Sequence, residues 1–127
     1  MGKERYLKYY LYVFGFISIF IITTVPVIFG DLFLWAPRNL PTEVMLASMY
    51  LAMGIVMIAV AKNPIGQKSF VDFLIIANLL HAFVMLVTAQ HPLQIILDVV
   101  PIGAMGLLPL IFYPWGLRNF LRVSGGL

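Results

Sequence analysis

Cysteine is absent from the 127 residues. That excludes a disulfide scaffold, thiol catalysis and C-x-x-C redox or metal chemistry. Charge is scarce as well: Asp, Glu, Lys and Arg make up 10% of the chain, against about a quarter in a soluble domain. So few charges among so many apolar residues exclude a disordered chain. There is no Walker loop, no H-E-x-x-H and no nucleophile elbow. What is present is apolar: 62% of the residues are hydrophobic and the mean hydropathy is +1.01. A water-soluble domain of this size could not bury that much apolar surface, because a large share of its residues must face water. The composition therefore describes an integral membrane protein.

A bilayer core is crossed by about 20 apolar residues in a helix. Four segments qualify: about Tyr9 to Phe29, Val44 to Ala61, Phe70 to Ala89 and Leu93 to Tyr113. The fold class expected is all-α, a four-helix transmembrane bundle running up-down-up-down as a single domain over residues 1–127. The first span follows Lys3, Arg5 and Lys8, as a signal peptide would. Its apolar stretch exceeds an h-region of about 7–15 residues and no A-x-A-like site follows, so it reads as retained. Tyr6 stands where myristoylation of Gly2 would need Ser or Thr. The ends are punctuated by Pro41 and Glu43 in a first helical turn, by Asn63-Pro64-Ile65-Gly66, and by Gln90-His91-Pro92. Pro114 and Gly116 close the fourth span. Ser69 and Asp72 have the spacing of a capping box.

Formal net charge is +3. No basic stripe with interleaved aromatics accompanies it, so no nucleic-acid partner is expected. The cations act instead as topology signals and lipid-headgroup contacts. Lys3, Arg5, Lys8, Lys62, Lys68, Arg118 and Arg122 fall on one side and Arg38 alone on the other. This asymmetry places both termini in the cytoplasm, in a bacterial inner membrane. Trp35, Trp115, Tyr9, Tyr10 and Tyr113 stand at span ends, the place of interface aromatics. The stretch from Asp31 to Glu43 is amphipathic. It reads as an interfacial anchor, with a partner-binding lid as the sharper alternative. No internal repeat of the kind found in inverted-repeat transporters is visible.

Ionisable residues at membrane depth are costly and mark candidate sites. Asp72 opens the third span and reads as a helix cap within reach of Lys68. His81 is mid-span, sharing a face with Asn78, Met85 and Thr88. Asp98 lies two turns inside the fourth span, past His91 and Gln94. A carboxylate there costs about 2.5–3.5 kcal/mol unless paired or protonated. Spans three and four run antiparallel, placing His81 about 12 Å and Asp98 about 9 Å below the break between them. They are expected at similar depth, forming a buried pair beside Asn78 and Gln94 if their faces meet. Such a pair can move a proton, orient a ligand, hold a metal or serve as a polar clasp. His91 and Glu43 are weaker candidates. A metal held by His91, Asp98 and Glu43 matches no strong motif, so no metal site is assigned. Ser48, Ala52 and Ala59 on span two, with Gly103 and Gly106 on span four, offer close packing within the chain, or between copies of it.

From Met45 to about Leu110 the chain resembles an uncharacterised bacterial family of small four-span membrane proteins, a domain of unknown function. The residues that carry the resemblance are Tyr50 with Gly54, Pro64, Asp72-Phe73, His81-Ala82-Phe83-Val84-Met85, His91, and Asp98-Val99-Val100-Pro101. The family pattern has Gly immediately before that aspartate, where this chain has Leu97. A looser likeness to DoxX-like four-helix proteins is one of architecture. The resemblance implies the fold and supports His81 and Asp98, and it brings no activity or cofactor with it. The function expected is that of a multi-pass membrane protein with a buried polar ligand- or proton-handling site in the outer half of the bilayer. The alternatives are a structural or accessory subunit of a larger membrane complex and a small oligomeric transporter. An enzyme is the less favoured class. The lipid bilayer is the first expected partner, with a homo-oligomer or membrane-complex subunit next.

Overall fold

The computed structural model describes residues 2–29 and 39–112, which are helical apart from turns and short connections. Four helical stretches are long and apolar enough to cross a membrane: Gly2–Ile28, Leu40–Val60, Ile65–Thr88 and Pro92–Ile111. They are called spans one to four below. The chain is thus all-α and reads as a multi-pass membrane protein. The expectations for Asp31, Trp35, Arg38, Tyr113, Pro114, Trp115, Gly116, Arg118 and Arg122 lie outside the described residues.

The helix starts follow local chemistry. The Asn39 side chain accepts the Thr42 N–H at 3.2 Å, with Pro41 and Glu43 in the first turn of span two. His91 caps span four: its Nδ1 accepts from Leu93 N at 3.2 Å, and Gln94 Oε1 accepts from His91 N at 3.1 Å. This reciprocal pair satisfies donors that the first turn would otherwise orphan. The capping box expected at Ser69 and Asp72 does not form. A 3-10 turn at Ile65–Gln67 runs directly into the helix Lys68–Thr88, which places Ser69 inside the helix instead of at its cap.

Two spans loosen into π-helix, at Ser18–Ile22 and Ile95–Val99. Each segment lies one turn before a proline. Pro26 has no N–H for the Ile22 carbonyl and Pro101 has none for that of Leu97, and a proline ring crowds the carbonyl four residues back. Widening the turn relieves that crowding. In the second segment the Val100 N–H reaches five residues back to Ile95 O. In the first, Thr23 Oγ1 donates to Ser18 O at 2.7 Å and Thr24 Oγ1 to Phe20 O. Hydroxyls thereby occupy carbonyls that lipid could not satisfy.

Packing joins span one to span two, span three to span four, and span one to span four. The first contact is a crossing of glycines. A Cβ on Gly54 would stand 2.8 Å from the Gly15 carbonyl oxygen, and one on Gly15 would stand 3.1 Å from that of Gly54. Backbone meets backbone there, as small residues permit in membranes. The Ser48, Ala52 and Ala59 stripe faces outward, so it does not provide this contact. On span four, Gly106 seats Leu79 and Gly103 lies beside Ala82. The core between the spans is filled by Leu7, Leu11, Met57, Val71, Leu74 and Met105. One further link crosses it: the Tyr10 hydroxyl donates to the Met105 carbonyl. That carbonyl is available because Pro109, four residues on and inside the helix, has no N–H to give it.

Candidate functional site

Spans two and three make no backbone contact comparable to the other three neighbouring pairs among the described residues. Between them lies an apolar groove of about 370 Å³, with Leu46, Met49, Met53 and Val56 on one wall and Phe73 and Ala77 on the other. Met49 and Phe73 are exposed on the outer surface of the bundle. In a bilayer that surface is the lipid face, so the groove opens sideways to the hydrocarbon.

Among the described residues two side-chain hydrogen bonds bridge the gap, and the shorter joins Tyr50 to His81. The Tyr50 hydroxyl and His81 Nδ1 are 2.6 Å apart. The two rings are tilted by 39° with centroids 5.7 Å apart. Tyr50 belongs to the inward face of span two with Ala47, Gly54 and Met57. His81 is half-buried, at the flank of the inward face formed by Leu74, Ile75, Asn78 and Ala82. Tyr50 is ten residues into span two and His81 seven residues before the end of span three. Both are thus about 10–15 Å from the same end of the bundle, below headgroup level.

Asn78 is 1% exposed and forms part of the groove wall. Its Nδ2 donates to Leu74 O at 2.8 Å and lies 3.9 Å from Met53 Sδ. Thr88 bonds to Val84 O on its own helix at 2.8 Å. Of the polar face expected on span three, His81 is the residue that forms a close hydrogen bond to another span.

The bond found for His81 runs to Tyr50 instead of Asp98. The reason is rotational: Leu79 and Ala82 are turned toward Gly106 and Gly103 of span four, which directs the His81 flank to the gap beside span two. Asp98 is 8% exposed, lies in the π segment, and is engaged by a partner. Gln94 is fully buried, and its Oε1 accepts from the backbone N–H groups of Gln90 and His91 at 2.6 and 3.1 Å. These are helix-start contacts. His91 is a cap, and Glu43 lies in the first turn of span two. Among the described residues, no three His, Asp or Glu side chains are gathered where they could hold a metal.

Tyr50 is the site residue that a search for ionisable groups misses, since tyrosine reads as apolar or interfacial. The usable signal was a hydroxyl far from either end of its span, at a depth matching His81. Comparison with protein-family models, curated proteins and solved structures gives no match.

Proposed function

We propose that this protein holds a neutral, lipid-soluble molecule in the groove between spans two and three, with the Tyr50 and His81 pair addressing its polar end. The observation that carries this reading is the Tyr50–His81 hydrogen bond on the wall of an apolar groove open to the lipid face. Pockets that bind small molecules combine a mostly apolar lining with a few polar groups that set orientation. The volume of about 370 Å³ falls in their lower range. A charged headgroup is disfavoured at this depth because no Asp, Glu, Lys or Arg stands on the groove wall among the described residues.

The orientation that accompanies this proposal has both termini in the cytoplasm of a bacterial cell and the protein in its inner membrane. It rests on the positive-inside asymmetry. The groove's polar pair then lies in the outer half of the bilayer. The test uses a neutral lipid probe with a photoreactive diazirine on its chain, incorporated with the full chain into nanodiscs. Cross-links are expected on peptides from Leu46 to Val56 and from Phe70 to His81. Labelling spread evenly over all lipid-facing surfaces would refute the proposal.

A further inference from the structure

We propose that the groove takes a lipid alcohol, with Asn78 Oδ1 as the acceptor for its hydroxyl hydrogen. This deepens the ligand-site reading above and rests on it. Asn78 stands ten residues from either end of the helix Lys68–Thr88, about 15 Å from each. It is therefore at the centre of the apolar layer, where hydrocarbon offers its amide no partner.

The orientation of that amide is fixed by its neighbours. The atom 2.8 Å from the Leu74 carbonyl oxygen must be a donor, so it is Nδ2, and its other hydrogen has Met53 Sδ at 3.9 Å. Both hydrogens are thus engaged, and Oδ1 is the free end. Among the described residues no donor reaches it. Burial then locates it. Ser18 Oγ is the one enclosed side-chain polar atom without a partner among the described residues. Oδ1 has no partner either, so it is not enclosed, and the 1% of Asn78 that is exposed includes it. The cavity that Asn78 lines is the groove. An otherwise buried amide therefore presents its oxygen there.

A carbonyl oxygen in apolar surroundings calls for a donor. A ketone, ester or ether head brings only acceptors and leaves Oδ1 unpaired. An ammonium donates, but brings a charge to membrane depth where no Asp or Glu stands on the groove wall among the described residues. A hydroxyl is the smallest neutral head that closes the bond. The Tyr50 oxygen is the competing acceptor on the groove wall. It is already bonded to His81, and its lone pair is drawn into the ring, whereas Oδ1 has both lone pairs open. One neutral hydrogen bond of this kind changes affinity about three- to tenfold.

The experiment uses the full chain in nanodiscs with three probes of equal chain length: a secondary alcohol, the matching methyl ketone and the matching alkane. Each competes with the photoreactive lipid for labelling of the groove. The alcohol-to-ketone affinity ratio should be about three- to tenfold higher in the native chain than in Asn78→Leu, with alkane competition the same in both. Comparing the two chains cancels the cost of bringing each head from the bilayer into the groove. Tyr50→Phe should keep the native ratio. The sequence has four asparagines, so carbon-13 labelling of their side-chain carbonyls gives four signals, with Asn78→Leu identifying one. That signal should move with alcohol and stay with alkane. An equal ratio in the native chain and Asn78→Leu overturns the proposal. So does a ratio lost in Tyr50→Phe, which would make the phenol oxygen the acceptor. Should Asn78→Leu fail to fold, Asn78→Thr identifies the signal, and its indifference to alcohol in the native chain overturns the proposal alone. Alkane competition without alcohol preference removes this inference and leaves the ligand-site reading standing. If no probe competes and Ala77→Phe, which fills the groove, changes nothing, that reading fails and this inference with it.

Discussion

Replacing Tyr10 by phenylalanine removes one hydroxyl and leaves the ring in place. The consequence follows from Pro109. In a regular helix the Met105 carbonyl would accept from the N–H four residues on, and a proline stands there. The Tyr10 hydroxyl, from span one, occupies that carbonyl. Tyr10→Phe therefore strands a buried acceptor, which costs about 1–2 kcal/mol, between the net value of an interhelical hydrogen bond in a membrane and the penalty of a lost buried partner. Pro109→Ala restores an N–H to the helix and gives the carbonyl a local partner. In that background the same Tyr10→Phe change should cost about 0.5 kcal/mol or less, with a coupling of about 1 kcal/mol between the two sites. The assay is a double-mutant cycle from reversible unfolding in mixed micelles, read by helical circular dichroism. Equal costs for Tyr10→Phe in both backgrounds would refute the reasoning, because the hydroxyl would then not be substituting for the missing N–H.

Further outcomes are expected from the same structure. Gly54→Ala drives a Cβ to within 2.8 Å of backbone on span one, and should cost about 1–3 kcal/mol, whereas Ala59→Leu on the outward face should change stability by less than about 0.5 kcal/mol; unfolding midpoints in the same micelles compare them. Among the described residues Ser18 Oγ is buried with no hydrogen-bond partner, so Ser18→Ala should be neutral or stabilising by up to about 1 kcal/mol, and a clear loss of stability would show that the hydroxyl is satisfied. His91→Ala removes the acceptor for Leu93 N and should cost about 1 kcal/mol, with faster hydrogen exchange confined to the first turn of span four.

The spans were legible because the bilayer imposes a length and a polarity that few other folds share. Their ends were less so. Ser69 and Asp72 carried a capping signature, but the preceding 3-10 turn supplied the helix start and overrode it. The π segments were encoded in Pro26 and Pro101 and could have been derived from the missing N–H groups, as could the carbonyl that Tyr10 occupies. Depth arithmetic paired His81 with Asp98, whereas the hydrogen bond His81 makes across spans runs to Tyr50, because depth alone could not fix the rotation of span three about its axis. That rotation is set by Leu79 against Gly106 and Ala82 beside Gly103, contacts between residues far apart in sequence. The outward placement of Ser48, Ala52 and Ala59 has the same origin: Gly15 and Gly54 determine which side of span two faces the bundle. Tyr50 and Gly54, one turn apart on span two, have distinct physical tasks: one bonds to His81, the other lets the backbones of spans one and two meet.

The most direct test of a lipid-facing ligand site is native mass spectrometry of the full chain released from nanodiscs made of its own membrane. The account predicts one neutral lipid retained per chain, lost in Ala77→Phe and weakened several-fold in His81→Ala, with helical content unchanged in both. Release of the native chain bare, or carrying only phospholipids in the proportions of the surrounding bilayer, would contradict it.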